Sequence, residues 1–201
     1  MKILHIGAAG AIGRAVALEL GQRHELITAG VNSGQHHLDI ADIAQVRALF
    51  EKVGKIDAVV VTAGRIHLGP LAEITPEQFA IGLNSKLMGQ VNVAQVAPQF
   101  LNDGGPITLT SGIVGEQEHQ IRNGAAASMV NSAVEGYVRG AAIELPRAIR
   151  INVVSPTLLE ESVAAIGAYF YGIEPAPARR VALGYSRSAE GAQTGQVYRV
   201  W

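Results

Sequence analysis

Residues 3–13 read Ile3-Leu4-His5-Ile6-Gly7-Ala8-Ala9-Gly10-Ala11-Ile12-Gly13, and this run sets the architecture of the chain. Its first four residues are typical of a short buried strand, and a helical pattern follows from Ile12 to Leu20. Gly7 and Gly10 permit a tight turn and a close approach of the backbone to a phosphate, while Gly13 lets the helix pack against the sheet. Because a helix N-terminus attracts anions, the run predicts a dinucleotide site. The Lys-Ser/Thr pair of a P-loop is absent, which disfavours ATP or GTP hydrolysis.

Strand-like and helix-like segments alternate along the rest of the chain, as in a parallel sheet covered on both faces. Further strands are predicted at Glu25–Ala29, near His37 and Leu38, and at Ile56–Val61, Pro106–Thr110, Arg150–Ser155 and Gln196–Val200. Further helices are predicted at Asp42–Val53, Thr75–Gly82, Ser85–Leu101 and Gly124–Leu145. We therefore predict an α/β, doubly wound Rossmann fold with a mostly parallel seven-stranded sheet in the order 3-2-1-4-5-6-7, lacking a helix between strands 2 and 3. A single domain is expected over residues 1–201, with an irregular excursion over the sheet edge at residues 157–187.

The composition argues against several classes of function. Of 201 residues, 48% are hydrophobic and 16% charged, which is enough apolar material for a buried core. The net charge of −1 lacks the basic footprint of a nucleic-acid binder, and the absence of cysteine excludes disulfides and thiolate chemistry. No apolar run approaches the length of about 18 residues that a membrane span needs, and no signal peptide is evident, so we expect a cytoplasmic protein. His36-His37 is interpreted as a solvated turn, and no metal is expected.

Further motifs occur in a fixed order along the chain. They are Leu38-Asp39-Ile40 with Ala41-Asp42, Val61-Thr62-Ala63-Gly64, Ala133-Val134-Glu135-Gly136, Ala142-Ile143-Glu144-Leu145, Arg150-Ile151-Asn152-Val153-Val154-Ser155-Pro156 and Thr194-Gly195-Gln196-Val197. With the Gly-rich loop, they resemble the short-chain dehydrogenase/reductase family over nearly the whole chain. The loop spacing Gly-x-x-Gly-x-x-Gly is similar to that of its extended and atypical members. The resemblance implies an oxidoreductase that uses NAD(P)(H).

The resemblance also implies which residues hold the cofactor. They are Gly7, Ala9, Gly10, Ala11, Ile12 and Gly13 at the phosphates, Asp39 and Ile40 at the adenine, and Thr62, Ala63, Gly64 and Pro156 at strand ends. Asp39 has an alternative interpretation as a turn residue. The end of the second strand, Ala29-Gly30-Val31-Asn32-Ser33, lacks the acid that repels a 2′-phosphate and also lacks an arginine. We therefore predict a slight preference for NADP(H) over NAD(H), with Asn32 and Ser33 as neutral partners.

The residues of the family's reaction are replaced. Matching its Ser, Tyr and Lys places Gly112, Ala127 and Asn131 at these positions, and no Tyr-x-x-x-Lys occurs in the chain. The family's helical Asn corresponds to Lys86 or, with a two-residue shift, to Asn84. Lys86, Ser111 and Asn131 are therefore the candidate catalytic residues, with a solvated surface position as the alternative for Lys86. A phenol could also enter from Tyr169 or Tyr171, whereas Glu116, Glu118 and His119 are interpreted as a solvated loop near the substrate.

Two functions remain open from the sequence. The first is an oxidoreductase with weak or unusual carbonyl–alcohol chemistry on a partly apolar small molecule; the alternative is an NADP(H)-binding sensor or partner-binding protein without turnover. We also expect a homodimer or homotetramer through residues 85–101 and 124–145. Small side chains recur there at Ser128, Ser132, Gly136 and Gly140, and packing of this stripe on the chain's own sheet is the alternative. The opposite stripe is also expected to need a partner; it consists of Val130, Val134, Tyr137, Val138 and Ala141.

Overall fold

A computed structural model describes residues 1–201, and its centre is one seven-stranded sheet in the order β3-β2-β1-β4-β5-β6-β7. Every neighbouring pair is parallel. The strands are β1 Lys2–Ile6, β2 Glu25–Gly30, β3 His36–His37, β4 Ala58–Val61, β5 Pro106–Thr110, β6 Arg150–Pro156 and β7 Val197–Val200. No helix separates β2 from β3, so the predicted order and the missing helix are both confirmed.

Seven α-helices cover the two faces of the sheet. They are α1 Ala11–Gly21, α2 Ile43–Val53, α3 Pro76–Gly82, α4 Gly89–Val96, α5 Ala125–Ala141, α6 Val163–Ile166 and α7 Ala178–Glu190. Local capping explains where two of them begin. The Asp42 carboxylate accepts hydrogen bonds from the backbone N–H groups of Ala44 and Gln45 before α2. A reciprocal capping box between Thr75 and Gln78 starts α3.

The core lies in two layers, one on each face of the sheet. Alternating residues of β1 show the division, because Leu4 and Ile6 pack on the face covered by α2, α4 and α5, whereas Ile3 packs on the face covered by α1 and α7. Both sets are fully buried. A parallel sheet buried on both faces needs near-continuous apolar strands, which is why Val59, Val60 and Val61 follow one another without a polar residue.

Three of the predicted segments differ from the structure. The excursion predicted at residues 157–187 contains the short helix α6 between two 3₁₀ turns, and α7 begins within it at Ala178. The small size of its inward residues hid the helical spacing of Ala178, Val181, Ala182, Tyr185 and Ala189. The helix predicted at Ser85–Leu101 is divided into a π-helical turn, Leu83–Met88, then α4 and a 3₁₀ turn, Ala97–Gln99. The helix predicted to reach Leu145 ends at Ala141.

The histidine pair and the faces of α5 also correct the sequence interpretation. His36 and His37 form the short edge strand β3 rather than a turn. Val130, Val134 and Val138 are fully buried within the chain, whereas Tyr137 and Ala141 of the same stripe are packed against the core but only partly buried. The small stripe faces outward instead, and a Cβ added at Gly136 or Gly140 would meet no other atom within 4 Å.

No helix combines the length and the apolarity that a membrane crossing requires.

Candidate active site

The Gly-rich loop joins β1 to α1 with almost no free space inside it. Gly7 has φ +95°, and a Cβ there would lie 2.6 Å from the backbone nitrogen of Ala63. A Cβ on Gly13 would lie 2.0 Å from the Gly7 carbonyl oxygen. Both positions therefore require glycine: the backbone that follows β4 lies against Gly7, and Gly13 in α1 packs directly on the loop. The result is a helix N-terminus whose free N–H groups face an open cleft.

The cleft runs along the carboxyl ends of β1, β2 and β4. Eight of the predicted cofactor residues line it: Gly7, Ala9, Gly10, Ser33, Asp39, Ile40, Ala63 and Gly64. Arg65 and Ser85, which the sequence interpretation missed, lie at its far end. A signal for Arg65 was present, since it directly follows the Ala63-Gly64 strand end.

The remaining predicted cofactor residues lie outside the lining. Ala11, Ile12 and Gly13 form the start of α1 behind the loop, Asn32 is exposed in the β2–β3 connection, and Pro156 ends β6. The Thr62 hydroxyl makes hydrogen bonds away from the cleft: it donates to the Ile6 carbonyl and lies 3.0 Å from Nε2 of the buried His5. Asp39 accepts a hydrogen bond from the N–H of Ala41, so it combines the turn role with a position in the cleft.

Lys86 is not among the residues that line the cleft; it lies between Gly64, which follows β4, and Ser111, which follows β5. Its backbone and stem pass so close to Gly64 that a Cβ there would be 2.9 Å from the Lys86 Cα. The residue is partly exposed, but its ammonium end is enclosed and Nζ donates to the Ser111 carbonyl at 3.0 Å. Burial lowers the pKa of this ammonium to about 8. The π-helical turn Leu83–Met88 sets this direction, while Asn84 is exposed.

A network of buried side chains holds the end of β5 in place. Gln90 donates to the carbonyls of Lys86 and Thr110 and accepts from the N–H of Thr110. The Ser111 hydroxyl donates to Glu135 Oε1 at 2.8 Å, and Glu135 on α5 is 5% exposed. Burial raises the pKa of the Glu135 carboxyl, and the hydrogen bond from Ser111 opposes that change. Ser111 is therefore fixed at both its carbonyl and its hydroxyl.

Asn131 lies one turn before Glu135 on α5 and faces the same region. Its amide nitrogen would be 3.0 Å from a Cβ at Gly112, so the glycine makes room for this side chain. Its Oδ1 is buried and has no hydrogen-bond partner. A buried acceptor without a donor is rare in folded proteins.

These features together fit a dinucleotide. The loop presents backbone N–H groups to the cleft, and the second strand ends without an acid. A family model described as enoyl-(acyl carrier protein) reductase, one of the models of short-chain dehydrogenases, matches residues 7–190. The chain belongs to the short-chain dehydrogenase/reductase family. This is a family of NAD(P)-dependent oxidoreductases.

Individual relatives support the assignment. The chain is 34% identical over 174 residues to the tetrahydroxynaphthalene reductase PfmaG of Pestalotiopsis fici, a match covering 75% of this chain and 62% of that protein. It thus spans about three fifths of that relative's length. Among solved structures, the protein lin1944 from Listeria innocua has a TM-score of 0.97 at 46% identity, with full coverage of both chains. A small-chain dehydrogenase in complex with NADPH has a TM-score of 0.87 at 26% identity, over 100% of this chain and 96% of that one.

The position that matches the family's proton-donating tyrosine is occupied by alanine in this chain. Ala127, which matches it, is completely buried and packs with Ile113 and Val114. Tyr171 is 85% exposed and does not enter the site. The buried Tyr185 faces away, with its hydroxyl 2.6 Å from Thr110 Oγ1, and burial raises its pKa. Tyr169, at the end of the 3₁₀ turn Gly167–Tyr169, is partly exposed. Among the candidate catalytic residues, Lys86 donates to the Ser111 carbonyl, and Asn131 lies beside Gly112.

Proposed function

We propose that this protein is an NADP(H)-binding oxidoreductase of carbonyl or alcohol groups whose turnover is slow or unusual. The observation that carries the proposal is the combination of an intact phosphate loop with the orphaned Oδ1 of Asn131. The first provides binding, and the second provides an unfilled contact at the reacting end. The absence of the tyrosine accounts for the weak chemistry, since a positioned general acid or base contributes about 10²–10⁴-fold.

The residues of this chain divide into binding and reacting roles. The backbone of Gly7–Gly13 and the N-terminus of α1 hold the pyrophosphate, and Asp39 lies beside the adenine end. The nicotinamide group supplies or accepts the hydride when it is bound. Asn131 accepts a ribose hydroxyl, and the Lys86 ammonium provides the positive charge that the family takes from its lysine. Glu135 holds the Ser111 side chain and so fixes the position of the Ser111 carbonyl that accepts from Lys86.

Lys86 is the residue whose titration should be visible. With its pKa lowered to about 8, the ammonium is charged at neutral pH and loses its proton as the pH rises above 8. NADPH affinity is therefore expected to weaken above that pH in the natural protein. Lys86→Met should show lower affinity at neutral pH and no such dependence. An affinity and pH profile unchanged by Lys86→Met would remove Lys86 from the site.

Turnover is tested with a panel of simple ketones and NADPH. We expect rates far below the usual enzyme median of about 10 s⁻¹. The Ala127→Tyr/Asn131→Lys double variant, which restores the family's pair, should raise the rate if the pocket accepts the phenol. Rates near the median in the natural protein would refute the claim of impaired chemistry.

A second candidate function is NADP(H) binding without turnover, as a redox sensor or a partner-binding protein. The complete burial of Ala127 favours it, because an enclosed position leaves no room for a reacting carbonyl in this conformation. Tight NADPH binding with no detectable oxidation of NADPH by any ketone or aldehyde would select this function.

We also propose that the chain forms a homodimer or homotetramer through residues 85–101 and 124–145. The outward stripe of α5 supports it, since Ser132, Gly136 and Gly140 allow close approach while Met129 and Ile143 beside them are exposed by 43% and 87%. A cytoplasmic location, expected from the composition, remains part of the proposal.

A further inference from the structure

Arg65 provides the cofactor cleft with its one cationic side chain. Among the residues that line the cleft, Arg65 and Asp39 are the two that carry a charge, and the others are glycines, apolar residues, Ser33 and Ser85. The N-terminus of α1 offers a partial positive charge of about +0.5, and the Asp39 carboxylate opposes it. A negatively charged diphosphate in this cleft therefore finds a full positive charge at Arg65 alone.

The Arg65 guanidinium has no partner within the chain. Arg23, Arg147 and Arg199 each pair with a carboxylate, whereas the side chain of Arg65 is exposed and makes neither a hydrogen bond nor an ion pair. A guanidinium carries five N–H donors in a planar fork whose geometry matches the oxygens of a phosphate. All of these donors are available to a ligand in the cleft.

The main chain of Arg65 is fixed although its side chain is free. Its backbone N–H donates to Ser85 Oγ at 3.1 Å. The preceding Gly64 has φ +139°, and a Cβ there would lie 2.9 Å from the Lys86 Cα. Two successive contacts thus fix the segment after β4 against the π-helical turn Leu83–Met88. Because the backbone is already ordered, only the side chain loses freedom when it binds a ligand.

The strand order indicates which phosphate lies near Arg65. The phosphate loop follows β1 and Arg65 follows β4, which is the direct neighbour of β1. A Cβ on Gly7 would lie 2.6 Å from the nitrogen of Ala63, two residues before Arg65, so these two segments are in contact. Asn32 and Ser33, the predicted partners of a 2′-phosphate, follow β2 on the other side of β1. With about 4.8 Å between strands, the phosphate loop is one spacing from the end of β4 and the end of β2 is two.

We propose that Arg65 binds the diphosphate of the dinucleotide from the β4 side of the cleft, while the backbone N–H groups of the phosphate loop bind it from β1. The guanidinium donates charge-assisted hydrogen bonds to the diphosphate oxygens. The inference rests on the proposed function, because it assigns a binding residue to the same cleft. It adds that the contribution of Arg65 is independent of the 2′-phosphate and is therefore equal for NADPH and NADH.

Two small ligands separate the phosphates in calorimetry on the full-length protein. ADP carries a diphosphate and no 2′-phosphate, and adenosine 2′-monophosphate carries the opposite set. Arg65→Met should weaken ADP binding by about tenfold and leave adenosine 2′-monophosphate binding unchanged, since hydrogen bonds to charged groups are the strong ones. Arg65→Lys keeps the charge without the fork and should have an intermediate affinity for ADP. Arg47→Met, at an exposed arginine of α2 outside the cleft lining, is the matched control and should bind both ligands as the natural protein does.

The complete dinucleotides give an independent measurement from nicotinamide fluorescence. Arg65→Met should weaken NADPH and NADH by similar factors, so that the ratio of the two affinities stays as in the natural protein. The dependence of both affinities on salt concentration should become shallower, because one cation no longer faces the ligand.

Three results would overturn the assignment of Arg65: unchanged ADP affinity in Arg65→Met, a loss confined to adenosine 2′-monophosphate and NADPH, or an equal loss in Arg47→Met. The second result would place Arg65 at the 2′-phosphate, and the third would show an effect of net charge alone. ADP binding that depends on Arg65 in a protein that does not bind NADPH would refute the proposed function and leave the assignment standing. NADPH binding that is indifferent to Arg65→Met would refute the assignment and leave the proposed function standing.

Discussion

Replacing His5 with leucine should flatten the acid sensitivity of this protein. His5 lies in β1 at the centre of the sheet and is completely buried, with Nε2 beside the Thr62 hydroxyl and Nδ1 without a partner. Burial lowers the pKa of its imidazole from 6.5 to about 4. In the unfolded chain the group titrates at its ordinary value, so the unfolded state binds more protons between these two pH values.

The direction and size of the change in folding stability follow from these two pKa values. Above pH 6.5 both states are neutral at His5 and it has no effect; below 6.5 the unfolded state gains a proton that the folded state refuses until about pH 4. Stability therefore falls with decreasing pH by about 1.4 kcal/mol per pH unit, or about 3 kcal/mol across the window. Domains of this size have a total stability of only about 5–15 kcal/mol, so the loss is large.

The assay is urea unfolding followed by far-UV circular dichroism at several pH values between about 7.5 and 4.5. The upper part of the window is the informative one, because carboxylates with lowered pKa values, such as Asp42 and Asp57, lose their contribution mainly below their ordinary range. His5→Leu keeps the bond from Thr62 to the Ile6 carbonyl and removes the orphaned nitrogen. His37→Gln, at an exposed histidine, is the control and should keep the natural slope. An equal slope in His5→Leu and the natural protein between about pH 6.5 and 5 would refute the reasoning.

Three further outcomes are expected. Gly13→Ala should abolish NADPH binding and destabilise the fold, because its Cβ would lie 2.0 Å from the Gly7 carbonyl oxygen. Gly21→Ala at the end of the same helix, where a Cβ would lie 3.6 Å from Leu26 Cδ1, should be neutral or stabilising by up to about 1 kcal/mol. Chemical denaturation and NADPH titration compare the two variants, and a Gly13→Ala protein that binds NADPH normally would contradict the geometry. NADPH should bind slightly more tightly than NADH, since no acid ends β2, and NADH binding about tenfold tighter would reverse this prediction. Light scattering at micromolar concentration should give a molecular mass of at least twice 21.1 kDa, and Gly136→Arg should shift the protein to the monomer. A monomeric mass for the natural protein would contradict the proposed interface.

Much of the fold could be predicted because its signals are local. The positions of β1, β5 and β6 follow from short apolar runs, and the absence of a helix before β3 follows from the few residues between Ala29 and Asp39. The helix α7 was missed although its inward residues have helical spacing, because alanine and serine dominate its buried face and carry a weak hydrophobic signal. Its polar partners lie far away in sequence, as in the hydrogen bond between Thr108 and Ser188.

In the candidate active site, the backbone features could be predicted from the sequence, whereas the side-chain contacts could not. The glycine spacing of the phosphate loop and the absence of a Tyr-x-x-x-Lys motif can be read from the residues themselves, without the fold. Three contacts depend on the folded chain: Lys86 rather than Asn84 turns inward, Glu135 holds Ser111, and Trp201 packs on Ile113, Val114 and Ala127. These contacts join residues 24 positions apart or more, and their geometry depends on how a π-helical turn, a strand end and a distant segment meet. A shift of one residue in the π-helical turn Leu83–Met88 changes whether the Lys86 ammonium faces solvent or the site, and no local sequence pattern predicts which way it faces.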